Sequence, residues 1–582
     1  MEHPLTVYIT ANTLISSLGF GTQENMEAIR AYHSGIRLQQ ATIDNKRLKE
    51  KVLTANITTY TRLEQLFILN IQDILAQSGI SLANPDCGLL LSTTKGNIDL
   101  LNSSEFLSSN ELLSNSPVFL WKMAERIGSH FQATHQVEVV SNACISGVSA
   151  LIIAKRWIES GRYKRVIVAG GDVLSHFITS GFLSFKSISS QICRPYDTER
   201  DGLNLGEACG AVLLETTGNE TTDIILSGGA ISNDANHISG PSRTGDGLYF
   251  AIQQAMKEAD INSANEISFI NAHGTATVYN DEMESKAIHL AGLATVPVNS
   301  LKPYFGHTLG ASGIIETILC IQQLKEGLLL GTLGFKSLGV PMPIIVNAHH
   351  QVVPMKNCIK TASGFGGCNA AIVLTLPSQI KENQSNGKEE SRVSRFELPF
   401  FTVTKVISIV KSTIHLNEEE LFQSAETNFP LFIREAYKNL GENNMKFYKM
   451  DNLCKLGYIA AGYLLKDTDF CPQEIGIVLA NAASSLDTDC KHQAIINKEG
   501  DEAASPAVFV YTLPNVVAGE ICIHHKIQGE NTFFISERYN EQTLINYAHT
   551  VINKGGLKAC IIGWCDLLAN QYKAEFKLIE IT

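Results

Sequence analysis

The sequence predicts an α/β protein built from more than one globular unit. Three observations lead there. The chain has 582 residues, more than one hydrophobic core ordinarily serves. Short β-prone apolar runs alternate with amphipathic helical stretches along its length, the pattern of sheets layered with helices. Finally, segments of the first part recur in the last third at offsets of 387 to 394 residues, an internal repeat.

In chain order, LTVYIT at Leu5, CGLLLST at Cys87, VEVV at Val137, RVIVAGG at Arg165, GAVLLE at Gly210, EISFINAH at Glu266, VPVNS at Val296 and AAIVLTL at Ala370 read as strands. After VEVV, the stretch ISGVSALIIAKRWIESG places Val148, Leu151, Ile152 and Ile158 on one helical face. From Pro377 to Pro399 the chain reads PSQIKENQSNGKEESRVSRFELP, polar and without apolar period, which marks a linker over 379–399. Beyond it, IGIVLANAASSLDT at Ile475 answers CGLLLSTTKGNIDL at Cys87, SPAVF at Ser505 answers SPVF at Ser116, and LKACIIGWCDLL at Leu557 answers YKRVIVAGGDVL at Tyr163. The expected organisation is therefore a first lobe over 1–245, a second over 246–378, the linker, and a copy of the first lobe over 400–582. At an offset of 394, Arg538 falls where the first copy has Cys144. The second copy thus lacks that thiol, and no counterpart of the histidine segments described below follows it.

Composition excludes several classes. Hydrophobic residues make up 44% and charged residues 18%, as in a soluble globular protein. A net charge of −12 argues against a broad nucleic-acid-binding face. The 13 cysteines form no CxxC pair and mostly lie in apolar contexts, which suits reduced thiols in a cytoplasm. The N-terminus lacks the features of a signal peptide, and no apolar run reaches membrane-spanning length.

The chemistry centres on SNACISG, Ser141 to Gly147. Cys144 stands at a strand-to-helix turn, where the partial positive charge of a helix N-terminus favours a thiolate; taken alone, it reads more readily as a buried core cysteine. NAHGTATVYND (Asn271–Asp281) and LKPYFGHTLGASG (Leu301–Gly313) each place a histidine, His273 and His307, in a glycine-rich turn after a strand, where α/β folds display ligands. SGFGGCNA (Ser363–Ala370) is a turn with three glycines around Phe365, which lets backbone N–H groups approach a substrate oxygen. The histidines show no metal-ligand spacing with a cysteine or carboxylate cluster, so no metal is expected.

The order Cys144, His273, Lys302, His307 and GFGG at Gly364, with RPYDTERDGLNLGEACG (Arg194–Gly210), SNDANHISGP (Ser232–Pro241) and Glu316 after GHTLGASG, closely resembles the β-ketoacyl-acyl-carrier-protein synthases of the two-histidine elongating type. The resemblance covers roughly residues 5 to 377. It implies a thiolase-like, five-layered α/β/α/β/α fold, with the repeat adding a C-terminal thiolase-like half-domain. It implies an acyltransferase that joins an acyl thioester to malonyl-acyl carrier protein by decarboxylative Claisen condensation. Cys144 would carry the acyl group, and the backbone N–H groups of Cys144 and Phe365 would form the oxyanion hole. His273 and His307 would stabilise the enolate, with Lys302 beside them. Thr275, Thr277 and the gate residue Phe365 would contact the phosphopantetheine arm and the two substrates, and Asp281 and Glu316 would orient the site from behind. No cofactor is implied beyond the carrier's phosphopantetheine. Expected partners are acyl carrier protein and a second subunit, as a homodimer or as a heterodimer with another ketosynthase-like chain. Three departures, GEACG for GEGAG, DGL for DGF and GGCN for GGTN, bear on acyl preference. The alternative reading is a non-catalytic chain-length-factor or carrier-docking partner. The fused half-copy points to a dedicated pathway to a polyene or polyketide, such as an aryl polyene, rather than to housekeeping fatty-acid synthesis.

Overall fold

The computed structural model describes residues 5–102, 116–377 and 401–581; the expected linker, 379–399, lies outside them. The first sheet contains β1 (Tyr8–Ser16), β2 (Cys87–Ser92), β3 (Glu138–Val140), β4 (Arg165–Asp172) and β5 (Ala208–Glu215). Its order is β1-β5-β4-β2-β3, with β2, β3 and β4 parallel and β5 antiparallel to both of its neighbours. β2 is buried along its whole length, as its unbroken apolar run requires of a strand covered on both faces.

A second sheet contains β6 (Ile224–Asn233), β7 (Phe269–Asn271), β8 (Pro297–Asn299), β9 (Ile345–Val346), β10 (Asn357–Gly364) and β11 (Cys368–Thr375), in the order β6-β11-β10-β7-β8-β9. Because β6 is hydrogen-bonded along β11, the chain passes from the first sheet to the second between Glu215 and Ile224. That lies upstream of the boundary near residue 245 that the sequence suggested. The helices Ser146–Glu159 and Ser312–Glu326 fill the space between the sheets, the helix Arg62–Ser78 covers the first sheet and the helix Asp246–Glu258 covers the second. The result is five layers.

The two central helices cross at their N-termini at glycines. A Cβ on Gly147 would stand 2.8 Å from the backbone nitrogen of Ile314, and one on Gly313 would stand 2.3 Å from that of Val148. This close approach, possible only without side chains, brings the segments bearing Cys144 and His307 together.

The last third rebuilds the first sheet. β12 (Phe401–Val410), β13 (Ile475–Asn481), β14 (Asn531–Ile535), β15 (Ala559–Leu568) and β16 (Gln571–Ile581) run in the order β12-β16-β15-β13-β14, with the same parallel and antiparallel relations as in the first copy. The repeat extends to side chains. Asp172 at the end of β4 accepts from the backbone of Thr94 and Lys95, and Asp566 on β15 accepts from that of Ala482 and Ala483.

The two copies join edge to edge. β3 pairs antiparallel with β14, Val140 opposite Phe534 and Val139 opposite Ile535. Val140 and Phe534 are themselves 394 residues apart, so the junction is a local two-fold in which equivalent strands meet, as at an isologous dimer interface. The result is one continuous sheet whose ten shared strands run β1-β5-β4-β2-β3-β14-β13-β15-β16-β12, extended past β12 by Thr413–Leu416 and Glu419–Gln423 and past β1 by Gly19–Phe20. Asn142 reinforces the join, accepting from Phe533 N–H at 2.8 Å and donating to Asn531 O at 3.0 Å. Nearby, the buried Arg156 pairs with Glu530 at 2.8 Å. Both edge strands are covered, which removes a site of unwanted strand pairing.

Among the described residues no single helix is long and apolar enough to cross a membrane. The bent pair Pro506–Thr512 and Val516–His525 passes on length and composition together, yet Val516 to Cys522 are buried within the protein.

Candidate active site

Cys144 lies in a short 3₁₀ turn, Ala143–Ile145, between β3 and the helix Ser146–Glu159. Ala143 takes a left-handed backbone, φ 47°, at a cost of about 1–2 kcal/mol for a residue with a Cβ. Ser146 Oγ caps the turn by accepting from Asn142 N–H at 2.8 Å. The His307 segment uses the same device. Leu309 is left-handed at φ 53°, Ser312 opens the next helix, and its Oγ accepts from Thr308 N–H at 3.1 Å. Gly310 N–H donates to the buried Asp172 at 2.7 Å, which ties this turn to the first sheet.

His273 follows β7. Its backbone N–H donates to Glu284 Oε1 at 2.8 Å, and Gly274 N–H donates to Glu284 Oε2 at 2.7 Å. Asp281, expected behind His273, instead accepts from Thr275 N–H at 3.1 Å and Tyr196 N–H at 2.7 Å. It therefore shapes the loop after the histidine, and Glu284, on the same helix, holds the histidine's own backbone. Burial raises the Asp281 carboxyl to about 7.

One ligand atom each of Cys144, His273 and His307 comes within 4.8 Å of the others, and the imidazole rings meet edge to face at 5.1 Å. The three side chains that sequence spacing kept apart therefore converge in space with a separation that could hold a metal ion. The hydrogen bonding of His307 favours another use. Leu309 N–H points at its Nδ1 at 3.3 Å, with Ser312 Oγ at 3.0 Å. Nδ1 is thus the acceptor, and the proton sits on Nε2, available to a substrate oxygen.

Behind the histidines lies a buried charge cluster. Lys302 Nζ is 2.8 Å from Glu316 Oε1, and Lys360 Nζ is 2.5 Å from Glu316 Oε2. Two lysines against one carboxylate leave a net positive charge out of water. Burial first, and then Lys302 and Lys360, hold both histidines well below their ordinary pKa, so both rings are neutral hydrogen-bond donors. Burial also raises the Glu316 carboxyl, but the two lysines outweigh it and the group stays below its usual value. The same positive charge favours an oxyanion or enolate among these groups. For Cys144 the balance differs from that expected of a turn at a helix N-terminus. Burial pushes the thiol up to about 12, with Lys302 pulling the other way, so the resting group is a thiol.

Cys144 and Phe365 stand between two cavities. The outer one, about 380 Å³, is lined by His273, His307, Thr275 and Thr277, with Tyr279 and Ser239 also in its wall. The Oγ1 atoms of Thr275 and Thr277 are 2.8 Å apart. The inner one, a narrow slot of about 20 Å³, lies behind Cys144 against the second copy, which supplies Phe509, Thr512 and Leu513 to its wall. The second copy also holds the Phe365 turn. Asn515 Nδ2 donates to Phe365 O at 2.9 Å, and Gly519 lies so close to Gly366 that a Cβ there would be 2.6 Å from its carbonyl oxygen. Arg538, by contrast, has an 85% exposed side chain beside Glu537 and faces no site. Sequence reasoning missed Glu284, Asp172, Lys360 and the residues supplied by the second copy.

With this geometry in hand, comparison with known proteins gives a consistent result. The β-ketoacyl synthase N-terminal domain family matches residues 7–219, and the β-ketoacyl synthase C-terminal domain family matches residues 224–336. The chain is 30% identical over 357 residues to a 3-oxoacyl-[acyl-carrier-protein] synthase homolog of Saccharomyces cerevisiae, covering 57% of this chain and 80% of that protein. It is 34% identical over 254 residues to 3-oxoacyl-[acyl-carrier-protein] synthase 2 of Rhizobium meliloti, covering 40% and 59%. Among solved structures, a ketosynthase (ApeO) in complex with its chain length factor (ApeC) from Xenorhabdus doucetiae matches with a TM-score of 0.55 and 26% identity, over 65% of this chain and 100% of that one. A PfaC keto synthase-chain length factor matches with a TM-score of 0.73 and 13% identity, over 99% of this chain and 78% of that one. At that identity the match speaks for the fold alone, and the fold it shares extends through both copies.

Proposed function

The chain belongs to the β-ketoacyl synthase family, and from that membership we propose how its own residues carry out the condensation and what the second copy adds. The protein is an acyltransferase that forms a carbon–carbon bond. The observation that carries the assignment of roles is the convergence of Cys144, His273 and His307 within 4.8 Å between an outer cavity and an inner one closed by the second copy.

In the first half-reaction, the Cys144 sulfur attacks an acyl thioester carried on acyl carrier protein. The C–S bond to Cys144 forms, the C–S bond to the carrier breaks, and the thiol proton ends on the departing carrier thiol. The backbone N–H groups of Cys144 and Phe365 hold the oxyanion. In the second half-reaction, malonyl-acyl carrier protein enters by the outer cavity, its arm along Thr275 and Thr277. Its carboxylate leaves as CO₂, and the electrons left behind form an enolate. His307 Nε2–H and His273 donate to the enolate oxygen beside the Lys302–Glu316–Lys360 cluster. The enolate carbon attacks the acyl carbon on Cys144, the thioester breaks, and the sulfur is reprotonated. No metal or cofactor takes part in this sequence.

Acyl carrier proteins are acidic, and two basic side chains of the second copy stand near the 234–241 segment that lines the outer cavity: Lys526 Nζ lies 3.4 Å from Ala235 O, and Lys446 is close enough to His237 to add to the effect of burial in lowering its pKa. We assign carrier docking to this rim. The second copy stands where a partner subunit would stand, as a non-catalytic lobe in the manner of a chain-length factor. All thirteen cysteines are free, which fits the cytoplasm as the compartment. The pathway we favour is polyene or polyketide synthesis.

The test is reconstitution with acyl- and malonyl-acyl carrier protein. The expected result is one CO₂ released per β-ketoacyl product. CO₂ release without product, or product formed from a partner without a free carboxylate, would contradict the reading.

A further inference from the structure

The inner cavity is bounded by the segment from Phe509 to Asn515, which belongs to the second copy. Phe177, Phe182 and Phe185 of the first copy pack on Phe509, and one polar side chain, Lys95, itself in the cavity wall, bonds the segment's backbone. Lys95, fully buried after β2, extends its ammonium across the junction and donates to Thr512 O, to Asp489 Oδ1 at 2.7 Å and to Ser485 Oγ at 3.2 Å. Ser485 Oγ also donates to Thr512 O at 2.7 Å. Phe177 closes over the ammonium at 5.2 Å. The side chains of Lys95 and Asp489 are 4% and 2% exposed, so each is the other's compensating charge. A buried ion pair of this kind contributes little net stability but is costly to break from one side.

The repeat gives the pair a direction. In the register that aligns CGLLLSTTKGNIDL with IGIVLANAASSLDT, Lys95 corresponds to Ala483, and the residue matching Asp489 is Leu101. Neither copy could therefore form this pair with another of its own kind; it exists only where the first copy meets the second.

We propose that the Lys95–Asp489 pair is a positioning device that fixes the second copy's 509–515 segment as the wall of the acyl cavity, and thereby sets the length of acyl group that Cys144 accepts. The proposal rests on the function assigned above. Thr512 and Leu513 form the wall itself, and the Lys95 bond to Thr512 O acts on the backbone between them and Phe509. With the pair removed, this wall is free to yield, and a longer chain gains room behind Cys144. Selectivity set by packing changes about tenfold or more for a single methylene's worth of contact.

The test compares the intact chain with Lys95→Met, Asp489→Leu and the double variant. The rate of Cys144 acylation is followed by intact mass with hexanoyl and dodecanoyl thioesters of N-acetylcysteamine, alongside thermal melting. Each single variant should melt earlier, because it strands a buried charge. The double variant should recover the melting temperature, because no charge is left unpaired. In all three the dodecanoyl-to-hexanoyl ratio of kcat/KM should rise about tenfold. If the ratio returns to the wild-type value together with stability in the double variant, or is unchanged in all three, the pair only holds the halves together and the proposal is overturned. If the wild-type chain gives no adduct on Cys144 with either thioester, the functional reading itself fails.

Discussion

Replacing Cys144 with alanine should eliminate the acyl adduct and reduce condensation by more than about 10³-fold, the scale on which loss of a covalent nucleophile is felt. Twelve other cysteines do not substitute for it. Ten are buried in contexts such as those of Cys320 and Cys560, and none but Cys144 has both histidines within reach of its sulfur. Its position also depends on a strained turn, Ala143 at φ 47°, that no neighbouring cysteine shares. Intact-mass analysis after incubation with an acyl donor reads the outcome directly. An adduct of undiminished yield in Cys144→Ala would move the nucleophile elsewhere and undo the assignment.

The second large effect is expected for His307→Ala. Acyl transfer to Cys144 requires the sulfur and the backbone oxyanion donors, so the adduct should form at close to the wild-type rate. Decarboxylation requires a donor at the enolate oxygen, and loss of one such preorganised donor costs about 3 kcal/mol, or about 10²–10³ in rate. The selectivity of the defect follows from the geometry. Leu309 N–H and Ser312 Oγ occupy Nδ1, leaving Nε2 as the one ring position that can donate. Release of labelled CO₂ from malonyl-acyl carrier protein, measured beside acylation, separates the two steps. Equal loss of both would make His307 a structural residue, and loss of neither would remove it from the mechanism.

Much of the site is legible in the sequence because its parts are punctuated locally. Cys144, His273 and His307 each follow a short strand and sit among small residues, and glycine-rich turns mark their exposure to a common space. The residues that escaped reading act through contacts that local pattern does not encode. Glu284 lies one helical turn beyond Asp281, and either carboxylate could reach back to the loop; only the packing of that helix decides that Glu284 takes the backbone of His273. Lys360 left a trace, a lysine inside the apolar strand NCIKTASG, where a buried charge demands a partner, but its partner Glu316 is brought to it by the crossing of the central helices. The thiolate expected of Cys144 from its helix N-terminus is opposed by desolvation of the sulfur, beside an inner cavity that the second copy closes. That closure was the least readable feature. The repeat revealed a copied scaffold, yet the pairing of β3 with β14 is a long-range edge contact with no signature of its own, and the segment from Phe509 to Asn515 reads as an ordinary turn until it meets Phe365.

One chain is expected to contain a complete condensing site, with the second copy in the place of a partner subunit. This is tested most directly by the stoichiometry of acyl transfer in the purified chain, with carrier protein and no other ketosynthase-like subunit present. The expected result is one acyl group per chain, located on the Cys144 peptide and discharged as β-ketoacyl product on addition of malonyl-acyl carrier protein. Charging that occurs only after a second ketosynthase-like subunit is added, or an adduct on any other residue, would contradict it.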